Sequence, residues 1–174
     1  MTILEVWRGG EDTAARLKED GTLIDPFART ALHEPQFDFA KEAEKPWSRL
    51  WVARPQQRAA PIGFLVSWHV ADELHVLSVA VVDAARRRGI GRALMEAALD
   101  YSRSHAVRLI LLEVRRTNRA AIRLYRSLSF SAMGVRPNYY ADTGEDAVEM
   151  ALSLDPLTGQ IVATKDETAL DRDV

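Results

Sequence analysis

The spacing of apolar residues predicts two amphipathic helices in the second half of the chain. In residues 91–105 and again in residues 118–128, apolar side chains recur at the helical period and polar side chains fill the other positions. Thr117 is the expected N-cap of the second helix, because its hydroxyl can accept a backbone N–H of the first turn. The apolar faces carry Leu94, Ala97, Ala98 and Tyr101 in the first helix, and Ala121, Ile122, Tyr125 and Leu128 in the second.

Short apolar runs bounded by turn-forming residues predict strands. Residues 48–54 and 62–70 predict a hairpin, which residues 73–82 extend to a three-stranded meander, and residues 108–115 predict a strand between the two helices. The order of strands, helix, strand, helix and strands predicts an α/β fold with helices on a mixed sheet. The remaining expected elements are a strand at 2–8, a polar helix at 11–20, one or two short helices within 21–46, and strands at 129–135 and 146–154.

Length and composition are typical of one globular domain. Hydrophobic residues make up 47% and charged residues 28% of the 174 residues, which is too apolar for a disordered chain. We therefore assign residues 1–154 to one domain. Residues 155–174 contain Pro156, Gly159 and many charges, and we expect them to form an extension outside the core.

The absence of cysteine and the balanced charge narrow the function classes. With no cysteine, the chain has no disulfide, cysteine-based metal site or thiol nucleophile, and it fits a reducing, cytoplasmic compartment. The four histidines are dispersed, so we expect no metal site. The net charge of −2 argues against a dedicated nucleic-acid binder. No apolar stretch has the length of a signal peptide or a membrane span.

A segment rich in arginine and glycine, residues 86–92, is the sharpest chemical signal. It reads Arg-Arg-Arg-Gly-Ile-Gly-Arg and lies between the third predicted strand and the first predicted helix. Glycines let backbone N–H groups approach a ligand, and the helix N-terminus and the arginines add positive charge, so the segment predicts a pyrophosphate cradle. Its spacing fits neither a Walker loop nor a dinucleotide fingerprint. The alternative is an arginine-rich turn before a helix.

Three polar residues outside this cradle are candidate catalytic or binding groups. Glu113 lies in an apolar run that we expect to be buried on both faces, where a carboxylate has a raised pKa unless it is paired. Such a carboxylate suits a general base, and the alternative is a glutamate paired with Arg115 or with an arginine of a neighbouring element. Asn118 and Tyr125 are almost two helical turns apart, so they share a face. Asn118 can bind a carbonyl, and Tyr125 can protonate a leaving group or pack in the core.

These motifs, in this order, resemble the GNAT (Gcn5-related N-acetyltransferase) superfamily, and within it the RimI-type ribosomal-protein-alanine N-acetyltransferases. The resemblance runs from about Leu77 to Leu154. It departs at Ser129, where the family usually has glycine, and in residues 21–50, which resemble the subfamily little. The matching motifs are Val79-Ala80-Val81, Gly91-Arg92-Ala93-Leu94, Leu112-Glu113-Val114-Arg115, Asn118-x-x-Ala121-Ile122-x-Leu124-Tyr125 and Asn138-Tyr139-Tyr140.

The resemblance implies a GNAT fold, which is a mixed central β-sheet flanked by helices, and an enzyme that uses acetyl-CoA. It implies that Glu113 is the general base and that Tyr125 protonates the departing thiolate. Tyr139 and Tyr140 are expected to line a peptide cleft. The expected acetyl-CoA-binding residues are Val79, Ala80 and Val81 at the pantetheine arm, Arg86, Arg87, Arg88, Gly89, Ile90, Gly91 and Arg92 at the pyrophosphate, and Asn118 at the cofactor arm.

The acceptor implied by the resemblance is a protein N-terminal α-amine, namely the N-terminal alanine of a small-subunit ribosomal protein. The amine would attack the thioester directly, because a chain without cysteine has no acetyl-cysteine intermediate. The acidic segment 142–149 is expected to attract a basic peptide. Two alternatives remain open: acetylation of a small-molecule amine or a lysine side chain on the same scaffold, and a non-catalytic acetyl-CoA-binding module.

Overall fold

The structure is a computed structural model that describes residues 2–6, 24, 37–55, 59–168 and 170. The polar helix expected at 11–20 and most of the segment 21–36 lie outside these residues. Within the described residues, no helix has both the length and the hydropathy that crossing a bilayer requires. The chain divides into two units, of which the first comprises Met1–Val70 and Val76–Tyr101 and the second comprises Ala71–His75 and Ser102–Val174.

The first unit is built on four strands in the order β1-β2-β3-β4. The pairs β1–β2 and β2–β3 are antiparallel, as the predicted hairpin requires. β4 enters this unit at Val76, and the helix that follows it contributes its residues up to Tyr101. The elements are β1 (Thr2–Val6), α1 (Phe39–Glu44), β2 (Ser48–Arg54), β3 (Gly63–Val70), β4 (Glu73–Val81), a 3₁₀ turn (Asp83–Ala85) and α2 (Ile90–Ser104).

The core of the first unit lies on one face of β2 and β3. Their side chains at Leu50, Val52, Phe64 and Val66 pack with aromatic residues that precede and begin α1. Each such side chain contributes about 1.5–3 kcal/mol when it is removed from water. Nearly every position of β2 is buried, so this strand is covered on both faces.

The buried carboxylate of Glu42 joins α1 to β2 and β3 through hydrogen bonds. The carboxylate of Glu42 accepts hydrogen bonds from the hydroxyl of Ser48 (2.9 Å) and the indole N–H of Trp68 (2.7 Å), and it pairs with Lys45 (2.6 Å). Asp38 caps the helix, because its side chain accepts the N–H of Lys41. Three partners compensate the cost of burying the charge, so α1 is held in a defined position on β2 and β3.

The second unit is an antiparallel sheet in the order β5-β7-β6, with β8 added beside β7. Two departures from regular pairing interrupt β6, one between Ala132 and Gly134 and one between Arg136 and Tyr140. Because of these bulges β6 continues to Tyr140, whereas the predicted strand stopped at residue 135. The elements are β5 (Leu109–Arg115), α3 (Arg119–Ser127), β6 (Ser131–Tyr140), β7 (Glu145–Leu154) and β8 (Ile161–Val162).

Two local expectations in this unit are wrong. β5 alternates between buried and half-buried positions, so Glu113 lies on a partly open face rather than in a strand buried on both faces. The N-cap of α3 is Asn118, whose side-chain oxygen accepts the N–H of Ala121 (3.2 Å). Thr117 is bonded elsewhere, because its N–H (2.8 Å) and its hydroxyl (2.6 Å) both donate to Glu145.

Helix α3 ends at a residue with left-handed backbone geometry, Ser129, whose φ is 72°. The N–H of Phe130 donates to the carbonyl of Tyr125 (3.0 Å), and the N–H of Ser129 donates to the carbonyl of Arg126 (2.9 Å). This hydrogen-bond pair is the Schellman motif, and the rings of Phe130 and Tyr125 supply its usual apolar contact at 5.9 Å. Serine therefore occupies the left-handed position that glycine most often fills in this motif.

Residues beyond 154 are hydrogen-bonded to the rest of the second unit. The hydroxyl of Ser131 donates to the carbonyl of Thr164 (2.8 Å), and the N–H of Ala132 donates to Asp166 (2.8 Å). The N–H of Glu167 donates back to the carbonyl of Ala132 (2.9 Å). Part of the expected extension therefore runs along β6, and the domain boundary at residue 154 stays a prediction.

Candidate functional site

The predicted pyrophosphate cradle lies in the first unit, at the N-terminus of α2. Gly89 (φ 76°) precedes the first helical residue, and its carbonyl accepts the N–H of Ala93 (3.0 Å). The N–H groups of a first helical turn have no acceptor within the helix, and no acidic side chain lies in this turn. The helix dipole therefore presents partial positive charge beside the arginines, as an anion site requires.

The arginines of the cradle differ in how far they are already engaged. Arg86 folds back, donating from Nε to the carbonyl of Val81 (3.2 Å) and pairing with Asp83 (2.7 Å). Arg92 lies 3.7 Å from Glu96, one helical turn away. Arg87, with φ of 62°, and Arg88 are exposed, and neither side chain has a partner among the described residues. The cationic groups ready to meet an anion are therefore those of Arg87 and Arg88.

The strand before the cradle contributes three half-buried residues, Val79, Ala80 and Val81. Their neighbour on β3 is Gly63, where an added β-carbon would lie 2.9 Å from the carbonyl oxygen of Ala80. Such a contact is too short for van der Waals packing, so glycine lets β3 approach β4 at this point. Nothing in the local pattern around Gly63 indicates this requirement, because it depends on the position of a residue on the next strand.

Glu113 lies on β5 in the second unit, and its neighbours are residues of β7 and β6. It is paired directly opposite Glu149 on β7, and Glu149 is opposite Gly134 on β6. Arg136 approaches both carboxylates, with Nη1 3.5 Å from Glu113 and Nε 2.5 Å from Glu149. Pairing with an arginine from another element, one of the two alternatives for Glu113, is therefore the arrangement in the structure.

The side chain of Tyr125 is buried in the second unit, with 7% of the residue exposed. Burial, reinforced by the neighbouring Tyr140, raises the pKa of its phenol well above the usual range. Within the described part of the chain its hydroxyl has no hydrogen-bond partner, so this group is a neutral donor at physiological pH. Asn118 is exposed at the start of the same helix, and its oxygen is already used as the cap.

Tyr139 and Tyr140 lie side by side at the end of β6. Their rings meet edge to face at 5.2 Å, the guanidinium of Arg115 stacks on Tyr140 at 3.9 Å, and that of Arg136 lies 5.7 Å from Tyr139. Burial raises the pKa of Tyr140 to about 12 and also raises the pKa of Tyr139. The two rings therefore form a neutral aromatic surface backed by arginines.

The acidic segment 142–149 is largely engaged by arginines of its own unit. Arg115 makes two hydrogen bonds of 3.0 Å to Asp142 and one of 3.2 Å to Glu145. Asp146 lies 3.7 Å from Arg116. A hydrogen bond from the Thr117 hydroxyl is the main cause that lowers the pKa of Glu145. These carboxylates form ion pairs within the fold, and the expected attraction of a basic peptide to this segment stays a prediction.

Comparison with known proteins identifies the family. The model of the acetyltransferase (GNAT) family matches residues 18–130. The [ribosomal protein bS18]-alanine N-acetyltransferase of Escherichia coli K12 is 37% identical over 121 residues, which span 63% of this chain and 82% of that protein. These matches confirm the resemblance to the GNAT superfamily. The family model also covers residues before Leu77, where the resemblance read from the motifs begins.

Solved structures share the fold. The crystal structure of the Escherichia coli ribosomal-protein-S18-alanine N-acetyltransferase matches with a TM-score of 0.61 and 25% identity, over 97% of this chain and 99% of that one. The crystal structure of nourseothricin acetyltransferase matches with a TM-score of 0.56 and 32% identity, over 61% and 65% of the two chains. The expected α/β fold with a mixed sheet flanked by helices is confirmed, and the chain belongs to the GNAT family of acetyltransferases.

Proposed function

We propose that this acetyltransferase moves the acetyl group of acetyl-CoA to a protein N-terminal α-amine, the N-terminal alanine of a small-subunit ribosomal protein. The observation that carries the proposal is the 37% identity with the Escherichia coli bS18-alanine enzyme across 82% of that protein's length. The presence of Glu113 and Tyr125 supports it, because amine acetylation benefits from a base and an acid whereas a binding module needs neither.

The protein would bind the donor acetyl-CoA mainly through its pyrophosphate and its pantetheine arm, which take no part in the bond chemistry. We assign its pyrophosphate to residues 86–92, with Arg87, Arg88 and the N-terminus of α2 as the principal contacts. The backbone of residues 79–81 would pair with the pantetheine arm, and the amide NH₂ of Asn118 would donate to a carbonyl of that arm. Such contacts position the thioester, whose acyl group is already activated, and they contribute no bond chemistry.

The reaction then needs proton transfers away from the acceptor nitrogen and to the leaving sulfur. Glu113 would take a proton from the α-ammonium, so that the amine nitrogen attacks the thioester carbonyl; a C–N bond forms and the C–S bond breaks. Tyr125 would give its proton to the departing thiolate, and the nitrogen would lose its second proton to the resulting phenolate as the amide forms. A tyrosine phenol is protonated at neutral pH, so it is available as a donor to that sulfur. Tyr139 and Tyr140 would line the acceptor peptide. We also propose that the protein acts in the cytoplasm and that residues 1–154 form its catalytic domain.

A second candidate is acetylation of a small-molecule amine or a lysine side chain. The 32% identity with nourseothricin acetyltransferase over 61% of this chain supports this second candidate. The two candidates share the donor and the proposed base and acid. They differ in whether the acceptor nitrogen belongs to a peptide terminus.

Mass spectrometry of acetylated products distinguishes the two candidates. The enzyme and acetyl-CoA are incubated with a peptide beginning Ala-Arg and containing an internal lysine, with the same peptide blocked at its N-terminus, and with nourseothricin. The proposal expects one acetyl group on the α-amine of the first peptide and none on the blocked one. Acetylation only of lysine or of nourseothricin would favour the second candidate. The same incubations without enzyme control for non-enzymatic transfer.

A further inference from the structure

Two carboxylates and one arginine share a face of the sheet in the second unit, and the mechanism above uses only one of the three. Glu113 on β5 and Glu149 on β7 are opposite each other. Residues opposite each other in an antiparallel pair project to the same face with their β-carbons about 4.5–5.5 Å apart, and like charges there are unfavourable. Arg136 is two residues after Gly134, the residue opposite Glu149, so it projects to that face too.

Gly134 gives Glu149 the space to reach this arginine. A β-carbon at Gly134 would lie 2.8 Å from Oε2 of Glu149, so the carboxylate occupies the volume that a third side chain of the row would fill. The bulges on either side leave residues 134–136 in regular register with β7. This register fixes the position from which Arg136 extends its guanidinium toward the two carboxylates.

The guanidinium of Arg136 lies closer to Glu149 than to Glu113. Its Nε lies 2.5 Å from Glu149, whereas its Nη1 lies 3.5 Å from Glu113. The hydrogen bond to Glu149 is also the first cause that raises the pKa of Arg136, and Glu113 contributes only through its charge. Glu149 is therefore the main partner of Arg136, and the carboxylate of Glu113 stays incompletely compensated.

We propose that Glu149 is a positioning residue that holds Arg136 back from Glu113, so that Glu113 keeps a net negative charge for the incoming ammonium. The proposal rests on the proposed function, since it takes Glu113 as the base. Without Glu149, the guanidinium would close on Glu113. It would then compete with the acceptor ammonium and stabilise the ionised carboxylate, which makes Glu113 a weaker base.

Three variants and one control test this role by the pH dependence of kcat/KM. Glu149→Gln should lower kcat/KM about tenfold at neutral pH, mostly through KM, and should move the acidic limb of the pH profile to lower pH. Arg136→Gln should move that limb to higher pH, because two carboxylates then face each other without a cation. The double variant should return the limb to near its wild-type position. Asp166→Asn, which removes another arginine-paired carboxylate of the same unit, should leave the limb in place.

The pattern of limb shifts separates this role from structural damage. A damaged fold gives additive losses in the double variant and no opposite shifts in the two single variants. If Glu149→Gln leaves both the limb and KM unchanged, while Glu113→Gln removes the limb, the role of Glu149 is refuted and the base assignment survives. If Glu113→Gln itself keeps the wild-type profile, the base assignment fails, and this inference fails with it.

Discussion

The residue that ends α3 provides a quantitative test of the fold. Ser129 adopts φ of 72°, in the left-handed region, where a β-carbon costs about 1–2 kcal/mol. Replacing it by glycine removes that cost, but glycine also loses more conformational entropy on folding, by about 0.5–1 kcal/mol. Ser129 is exposed, and within the described residues its hydroxyl makes no hydrogen bond, so little else is lost. Ser129→Gly should therefore stabilise the protein by about 0.5–1 kcal/mol, the difference between these two terms.

Denaturant titration and thermal unfolding measure this difference. For a chain of this size a gain of that order raises Tm by roughly 1–4 °C. Ser129→Ala keeps the β-carbon and should give no gain. Arg123→Gly places glycine at an exposed helical position of α3 and should cost about 1 kcal/mol. If Ser129→Gly is no more stable than Ser129→Ala, the left-handed geometry is not the source of strain and the reasoning is wrong.

Four further predictions address the site. Tyr125→Phe should lower kcat by about 10²-fold while calorimetry shows unchanged acetyl-CoA binding, and an unchanged kcat would refute its role as the acid. Gly63→Ala should force β4 away at the Ala80 carbonyl, costing about 1–3 kcal/mol in unfolding assays and weakening CoA binding in titrations. Glu145→Gln should destabilise the protein at neutral pH. Because the folded pKa of Glu145 is lowered from 4.5, its stabilisation is present above that value and is lost as pH falls through the folded pKa, so melts in acid should not distinguish variant from wild type. Asp142→Asn should leave the KM for a peptide beginning Ala-Arg within about twofold, whereas a large rise in steady-state kinetics would show that this segment attracts the peptide.

The sequence pattern predicted correctly those helices and strands whose signals lie within their own residues. The helix expected at 91–105 is Ile90–Ser104 in the structure, because the apolar period, the preceding glycine and the absence of proline are all local signals. The N-cap of α3 was misassigned for the opposite reason. Thr117 and Asn118 can both cap a helix, and in the structure Asn118 is the cap while Thr117 is bonded to Glu145, which lies 28 residues later in the chain.

The same limit applies to β5 and β6. The run around Glu113 is almost wholly apolar, so the sequence does not show which face of the strand stays partly open. Gly134 and Pro137 favour a break in β6, whereas the structure keeps the strand and absorbs the irregular residues in bulges. Motif order placed Glu113 and Tyr125 among the candidates, but the contacts of Glu149 depend on strand register and could not be read from its neighbours in the chain.

The distribution of charge explains why net charge carries so little information about this protein. Arg115 and Arg116 pair with carboxylates of the acidic segment 142–149, and these ion pairs stabilise the turn after Tyr140. Among the described residues, the first unit has the exposed arginines Arg87 and Arg88 beside a helix N-terminus, and in the second unit Glu113 and Glu149 share Arg136. An anionic donor and a cationic amine would therefore each meet opposite charge, although the chain as a whole carries only −2.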